Sequence, residues 1–483
     1  MSSRPTRTSQ LLQALRSGRD LSGPEELELV VRLAIPAALA QVSYILMQYI
    51  DASMVGHLGA ADSAAVGLVS TTLWLFYGIG GASIMGFSVQ TAQRIGAEDF
   101  DAARSLVRQA FTTVFIFSAF LTTAGFLVSS HLPVWLGGEP EIIESASDYF
   151  RMMALFLPAT YFGWLAGALL RATGDMKTPS YLGILMCVLN CGFNFVLIFP
   201  TSTYECFGIS VTIPGADFGI IGAAIGTGIA EIIVGAIMLW MVVVRSPFLS
   251  LVRRPGSFMP QAAVLRRAFT IASPVAAERI LMCGAQIIST AIVAPLGIVS
   301  IAAHTLGITA ESLCYMPGYG IGDAASTLVG QSVGAKRLDL AKRIAFKCVA
   351  AGMVVMSVMG VVLYFAAPLL MGIMTDVPEV IELGTRVLRI EAWAEPMFAA
   401  AIVSYSAFIG TGDTLIPAVM NLSSMWIVRL SLAWFLAPVY GLAGVWSAMC
   451  AELIVRGGIF LLRLRSGVWL KKLRKEERAP EAS

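Results

Sequence analysis

The chain has 483 residues, of which 57% are hydrophobic and only 13% charged, where soluble domains carry about 25% charge. With a mean hydropathy of +0.77 it is made for lipid. The formal net charge is +2, so the placement of the charges matters more than their sum, and no nucleic-acid partner is expected. The seven cysteines are an odd number, and Cys187, Cys191, Cys283, Cys314 and Cys450 sit in apolar stretches. With no CxxC or Cys/His ligand spacing they read as packed free thiols.

In chain order, Met1 to Gly23 carries Arg4, Arg7, Arg16 and Arg19 but no apolar core. It is not a cleavable signal peptide, and it reads as a cytoplasmic arm with an interfacial turn at Leu11-Leu12-Leu15. A hydrocarbon core of about 30 Å needs roughly 20 apolar residues per helix. That window gives twelve spans, near 29–55, 62–92, 106–130, 147–170, 179–200 and 218–244, then 268–294, 301–330, 344–370, 386–409, 417–438 and 441–464.

The loops at 56–61, 131–146, 201–217, 295–300, 371–385 and 439–440 contain no Lys or Arg. The alternate segments are basic: Arg94, Arg104 and Arg108; Arg171 and Lys177; Arg253, Arg254, Arg266 and Arg267; Lys336, Arg337, Lys342 and Arg343; and the tail from Lys471, with Lys472, Arg474 and Lys475. The positive-inside rule then puts both termini in the cytoplasm of a multi-pass protein of the inner or plasma membrane.

The two halves repeat. Pro36 and Pro274, Gln48 and Gln286, Tyr77 and Tyr315, Gln93 and Gln331, Gly174-Asp175 and Gly412-Asp413 all stand 238 positions apart, as from 36 to 274. The expected fold is an all-α polytopic membrane protein of twelve helices in two six-helix lobes, related by a pseudo-two-fold axis along the membrane normal. The domains are an arm (1–28), a first lobe (29–244), a basic, proline-bearing cytoplasmic linker (245–267), a second lobe (268–464) and a basic tail (465–483). An insertion at 201–217 reads as an extracellular hairpin or plug.

An ionisable group inside a span costs at least about 2.5–3.5 kcal/mol, so each needs a partner, water or a function. Asp51, in YIDASMVGHLG, can bind and release a proton or Na⁺. Asn190 and Asn194, in LNCGFNFVLIFP, share one helix face; they can complete a cation site with Asp51 or simply bond between helices. Glu278 follows Pro274 by one turn, with Arg279 beside it, and is a coupling candidate or half of a salt bridge to Arg429 or Arg456. Glu311 lies near His304 and before Pro317; Glu391 and Glu395 form an acidic face before Pro396. Glu231 and Glu452, in the last span of each lobe, suit matched packing, and Asp323 the cytoplasmic end of its helix. His304 suits a proton relay or a hydrogen-bonded core. Gln48, Tyr77, Tyr315 and Met316 are expected at a substrate cavity, with Trp74, Phe76, Met85 and Trp164 further candidates for apolar and cation–π contact.

The Gly/Pro-rich stretches FYGIGGASIMG and CYMPGYGIGD occupy corresponding positions, as interrupted helices of a transport path do. No Walker sequence, nucleophile elbow, HExxH or haem pattern occurs, so neither an ATP-driven motor nor an enzyme is expected. No cofactor is expected beyond Na⁺ or H⁺ as coupling ion; the partners would be a small amphipathic substrate and membrane lipid, with the chain a monomer.

From Glu28 to Arg465 the chain resembles the multidrug and toxic compound extrusion (MATE) transporters of bacterial type. The matching signatures are DASMVGHLG, QRIGA after the second span, RATGDMKTP, LNCGFNFVLIFP, APLGIVSIAAH, GQSVGA and IGTGDTLIP. The resemblance implies two lobes around a cavity that alternates between faces, exporting organic cations or other amphipathic compounds against Na⁺ or H⁺. It makes Asp51 the family's first-span acid and Asn190 and Asn194 its fifth-span partners, with Asn194 standing where some members have Asp. The second lobe departs from the family's seventh-span Glu and tenth-span Asp: Glu278 sits a turn early, and Phe398, with Glu395 nearby, replaces the Asp. A flippase for a lipid-linked precursor, from the same superfamily, is the alternative; few basic residues within the spans argue against it.

Overall fold

The computed structural model describes residues 6–206, 209–252, 254–471 and 473–474; Arg4, Arg253, Lys472 and Lys475 lie outside them, as does the tail beyond. The first half holds α1 (Arg7–Arg16), α2 (Gly23–Gly56), α3 (Ala60–Gly96), α4 (Phe100–Val128), the single turn α5 (Leu132–Trp135), α6 (Pro140–Ala172) and α7 (Lys177–Ile198). The insertion forms an antiparallel hairpin of β1 (Pro200–Cys206) and β2 (Ile209–Ala216). Then comes α8 (Gly219–Trp240), extended by a π-helical turn to Arg245. The second half holds α9 (Ala262–Val293), α10 (Ile298–Gly334), α11 (Leu338–Met374), α12 (Pro378–Glu391), α13 (Glu395–Thr411), α14 (Leu415–Ser423) and α15 (Leu430–Ser466), the last two joined by the π-helical Ser424–Arg429.

Ten helical runs are long and apolar enough to cross a membrane, and α12 with α13 makes an eleventh, bent by 59°. One of the ten, Leu415–Ser466, runs for 52 residues and is broken at Gly441 (φ 59°, ψ −142°). Several helices begin six or more residues before the sequence expectation, and two of these differences have a plain local cause. The first span begins at Gly23 rather than near 29, because Ser22 and Glu25 form a reciprocal capping box with Pro24 in the first turn. The tenth, expected near 386–409, starts at Pro378 and bends after Glu391, where Pro396 has no N–H for the Ala392 carbonyl.

The amino-terminal arm is a second correction. Leu11, Leu12 and Leu15 do not lie at a lipid interface; they are 0–6% exposed and join a core built mostly from α2, α10, α11 and α13. Burying three leucines contributes roughly 1.5–3 kcal/mol each. Arg16 ties α1 to both halves, donating to the Gln331 side chain at 3.1 Å and to the Thr173 carbonyl at 2.8 Å. Burial pushes the Arg16 guanidinium down to about 10, against the attraction of Glu98.

Across the seam between the halves, α2 packs on α10 and α3 on α9. At the basic end of the helices the contacts are reciprocal. Gln93 donates to the Gly410 carbonyl at 3.0 Å and Gln331 to the Ala172 carbonyl at 2.7 Å. Each is the image of the other under the 238-residue shift that relates 93 to 331 and 172 to 410. Gly96 and Gly334 let these strands of backbone meet: a Cβ on either would overlap the backbone of Gln331 or Gln93. Moving outward, the last hydrogen bonds across the seam among the described residues are those of Tyr49, to the Thr309 carbonyl and, at 2.9 Å, to Ser312. The seam is closed toward the basic end.

Candidate functional site

In the first half, α2, α7 and α8 converge toward their Lys/Arg-free ends. Asn190 and Asn194 stand one turn apart on α7 and are completely buried. Asn194 donates through Nδ2 to Asp51 Oδ1 at 2.8 Å and to Asn190 Oδ1 at 3.2 Å. Asn190 in turn donates to Thr227 Oγ1 at 2.9 Å. The result is one continuous polar chain, Asp51–Asn194–Asn190–Thr227, through an apolar bundle. Its loose end is Asn194 Oδ1, buried with no hydrogen-bond partner. Gly226 makes room for that oxygen, since a Cβ there would collide with it. One turn beyond Thr227 on α8, Glu231 accepts from Thr160 of α6.

The donor set is oxygen-rich and carries one carboxylate. Exchanging the ends of the Asn194 amide would turn three oxygens, from Asp51, Asn190 and Asn194, toward one point. That is a hard-cation environment. Among the described residues no group of three or more His, Cys, Asp or Glu side chains is placed to hold a metal ion, so a cation here would have the one carboxylate of Asp51 with amide and hydroxyl oxygens.

The second half uses its acids differently. Glu278 is 6% exposed; it accepts from Asn421 at 2.7 Å and from the Tyr405 hydroxyl. Of the two readings of Glu278, the salt bridge to Arg429 or Arg456 is not formed; both arginines pair with Glu452. Arg456 grips Glu452 through two bonds of 2.7 and 2.8 Å, and Arg429 lies 3.2 Å away. Glu452, with no exposed surface, thus sits in an ion triad, while its expected match Glu231 has only a hydroxyl. Glu391 and Glu395 flank the α12–α13 bend, fully buried, without hydrogen-bond donors among the described residues. His304 is 5% exposed and accepts at Nδ1 from Trp446 at 3.1 Å, leaving its Nε2 unbonded. Glu311 is buried on the same helix.

A sequence model of the MatE family matches the chain twice, over residues 36–196 and 274–435. The chain belongs to the MatE family. Among its relatives, the probable multidrug resistance protein NorM of Thermotoga maritima is 27% identical over 454 residues, spanning 93% of this chain and 94% of its own. The multidrug resistance protein MdtK of Yersinia enterocolitica is 23% identical, spanning 92% and 95%. A solved structure described as the outward-facing conformation of a multidrug resistance MATE family transporter of the MOP superfamily superposes with a TM-score of 0.86. It is 18% identical and covers 98% of this chain and all of its own. A MOP superfamily transporter from Pyrococcus furiosus gives 0.85 at 18% identity, over 97% of this chain. The MatE chain is therefore a multi-pass membrane protein with the MATE fold.

In this MatE chain only Met85 and Trp164, of the residues expected at a substrate cavity, line the pocket between the halves. That space, about 200 Å³, is bounded by residues including Met85, Trp164, Arg171, Asp323 and Ser406. Gln48, Tyr77, Tyr315 and Met316 lie outside it, all half-buried; Tyr77 packs on Trp164 and Tyr315 on Phe398. Asp323 crosses the seam, 3.8 Å from Arg171 and 3.4 Å from Gln41. Sequence reasoning missed Thr227, Gly226, Tyr405 and Asn421. Only Asn421 left a signal, an amide in an apolar span; the others are ordinary residue types whose role depends on what faces them.

Proposed function

We propose that the protein is a secondary multidrug antiporter. It would export amphipathic organic cations in exchange for Na⁺ or H⁺ by alternating access, with both termini in the cytoplasm. The observation that carries this reading is the buried Asp51–Asn194–Asn190–Thr227 chain, whose one carboxylate lies on a helix that packs across the seam against α10 of the other half. A carboxylate with neutral amide partners is a reversible cation site; paired with arginine, as Glu452 is, it would be fixed. The names of the relatives support drug export, and membership of a transporter family supports transport rather than catalysis. The closed basic end is one of the two arrangements that alternating access requires, with the substrate path facing the outer side.

In this mechanism Asp51 and the two amides hold the cation while the outer side is accessible, and its release is coupled to substrate binding between the lobes. The Asn194 amide is the switch. With Nδ2 on Asp51 the site is satisfied without an ion; with Oδ1 turned inward it offers a ligand. The test is uptake of ethidium into everted vesicles under an imposed Na⁺ or pH gradient. Substrate movement should dissipate one of the two gradients, and Asp51→Asn should abolish that coupling. Full coupling in Asp51→Asn would overturn the site; uptake that needs ATP after both gradients have collapsed would overturn the class.

A further inference from the structure

The duplicated halves carry a matched arginine near their Lys/Arg-free ends. In the first half Arg151 of α6 lies over the Phe126 ring at 5.4 Å; in the second, Arg389 of α12 lies over the Tyr364 ring at 5.2 Å. The 238-residue shift relates 151 to 389 and 126 to 364. Their surroundings are opposite. Arg151 is paired with Asp148 at 3.0 Å and donates to Ser129 Oγ at 3.3 Å, while Ser147 donates to the Ser129 carbonyl at 2.9 Å. The second half has Arg386 in place of Asp148, Ala367 in place of Ser129 and Thr385 in place of Ser147.

These replacements remove every side-chain acceptor from the arginine and add a second positive charge one turn away. Among the described residues no carboxylate lies within ion-pair distance of Arg386 or Arg389. Glu382 lines the same groove, but it is retained as Glu144 in the first half and so does not compensate the change. Arg389 spends one N–H on the Tyr364 carbonyl at 3.2 Å, which Pro368 cannot serve because it lacks an N–H. Four guanidinium N–H groups are left over, of about five in the fork. Thr385 Oγ1 is also orphaned: the residue is 9% exposed and the hydroxyl has no partner. Thr385, Arg386 and Arg389 line one groove of about 590 Å³ with Pro368 and Pro378.

The two arginines lie along a helix next to exposed apolar side chains. Arg386 and Arg389 lie 8 and 11 residues into α12, which starts at Pro378, so about 12 and 17 Å along the helix at roughly 1.5 Å per residue. An arginine held against lipid is costly unless an anion or water meets it. From Arg389 a second groove of about 500 Å³ continues along Tyr364, Trp393, Cys450 and Ile454. Its surroundings face outward and are apolar: Phe365, Leu369 and Trp393 are 75%, 67% and 73% exposed.

We propose that this groove is a phospholipid site: Arg386, Arg389 and the Thr385 hydroxyl bind the phosphodiester of a lipid from the outer leaflet, and the Tyr364–Trp393–Ile454 groove takes an acyl chain. The bidentate fit of guanidinium to phosphate suits two adjacent arginines, and the two grooves meet at Arg389, so one can take the head and the other the tail. Binding here is separate from the transport path, because the groove faces away from the seam, on α11, α12 and α15.

The test is native mass spectrometry of the full-length protein in detergent, titrated with dioleoyl phosphatidylglycerol, with dioleoylglycerol, or with inorganic phosphate. The wild type should retain phosphatidylglycerol at least ten times more than dioleoylglycerol, and millimolar phosphate should not displace it. Arg386→Asp, which restores the first half's charge pattern, should lower retention at least tenfold; the milder Arg386→Gln, checked for a monodisperse elution profile, should lower it severalfold. Equal retention of dioleoylglycerol would reduce the groove to an apolar surface, and displacement by phosphate would make it a site for a free anion; either overturns the proposal. So does unchanged retention in a folded Arg386 variant.

Discussion

Asn194 donates to Asp51 at 2.8 Å across 143 positions of sequence, and Asn421 donates to Glu278 at 2.7 Å across the same 143. Both bonds tie the first helix of a lobe to its fifth. They are not images of one another, because the 238-residue shift carries Asp51 to Ser289 and Glu278 back to Ala40. Each half has thus made the same amide–carboxylate tie at a different depth. The tie in the first half continues through Asn190 to Thr227, whereas the second is completed by a phenol, Tyr405. A scaffold can be duplicated while its polar contacts are rebuilt separately.

Gly226 is the most sensitive neighbour of the first site. A Cβ there would overlap Asn194 Oδ1, and forcing atoms into a packed interior costs about 1–3 kcal/mol. Gly226→Ala should therefore uncouple transport without removing any ligand. Ethidium efflux driven by an ion gradient should fall at least tenfold while the protein remains monodisperse. Efflux at wild-type rate would mean that the Asn194 amide need not move.

The reciprocal glutamines make a prediction about the closed end. Gln93→Ala leaves the Gly410 carbonyl without its donor, and Gln331→Ala does the same to Ala172. An unsatisfied buried carbonyl costs about 1–3 kcal/mol, so each variant should shift the population toward a seam open at the basic end. Cysteine labelling at Ser326, in the pocket between the halves, reads this out from the basic end. Labelling should rise severalfold in either variant, and by similar factors if the two halves share the load.

Most of the fold was legible because its determinants are local and repeated. Apolar windows give the spans, and a fixed offset pairs Gln93 with Gln331 before any contact is known. The site was legible only where an unusual residue announced itself, as Asp51, Asn190 and Asn194 did. Thr227 and Gly226 gave no signal, because a threonine or glycine in an apolar helix is common and its meaning lies on the facing helix. The α12–α13 bend was missed for a related reason: Pro396 is visible, but several other helices here carry proline without such a bend. Likewise Leu11-Leu12-Leu15 has the pattern of a surface helix, and only the cleft it fills explains its burial.

The buried acids of the second half should separate by partner. Glu452→Gln would leave Arg429 and Arg456 facing each other without their shared carboxylate. Breaking a buried ion pair in this way costs about 3–5 kcal/mol. Glu391→Gln removes no hydrogen bond, since neither oxygen of Glu391 has a donor. Thermal unfolding in one detergent should show a large fall in melting temperature for Glu452→Gln and little change for Glu391→Gln. Equal falls would mean that Glu391 has a partner supplied by lipid or water.

The amino-terminal helix should act as a latch on the closed state. Leu12 lies against Gly174, whose φ of +91° leaves a notch without a side chain, and Arg16 bonds to Thr173 in one lobe and Gln331 in the other. Arg337 of the second lobe holds the arm's end through the Arg19 carbonyl and Asp20, both at 2.7 Å. Opening the seam at the basic end separates Thr173 from Gln331, so α1 must release at least one of them. Leu12→Glu puts a charge into an apolar notch, and Arg16→Ala removes the bridge; both should favour the open basic end. A disulfide between cysteines at Leu12 and Gly174 should do the reverse, locking α1 to the first lobe. If Arg16 then keeps the second lobe bound, transport in the oxidised double variant should fall and recover on reduction. Undiminished transport with the disulfide formed would show that α1 travels with the first lobe and that Arg16 lets go of Gln331 during each cycle.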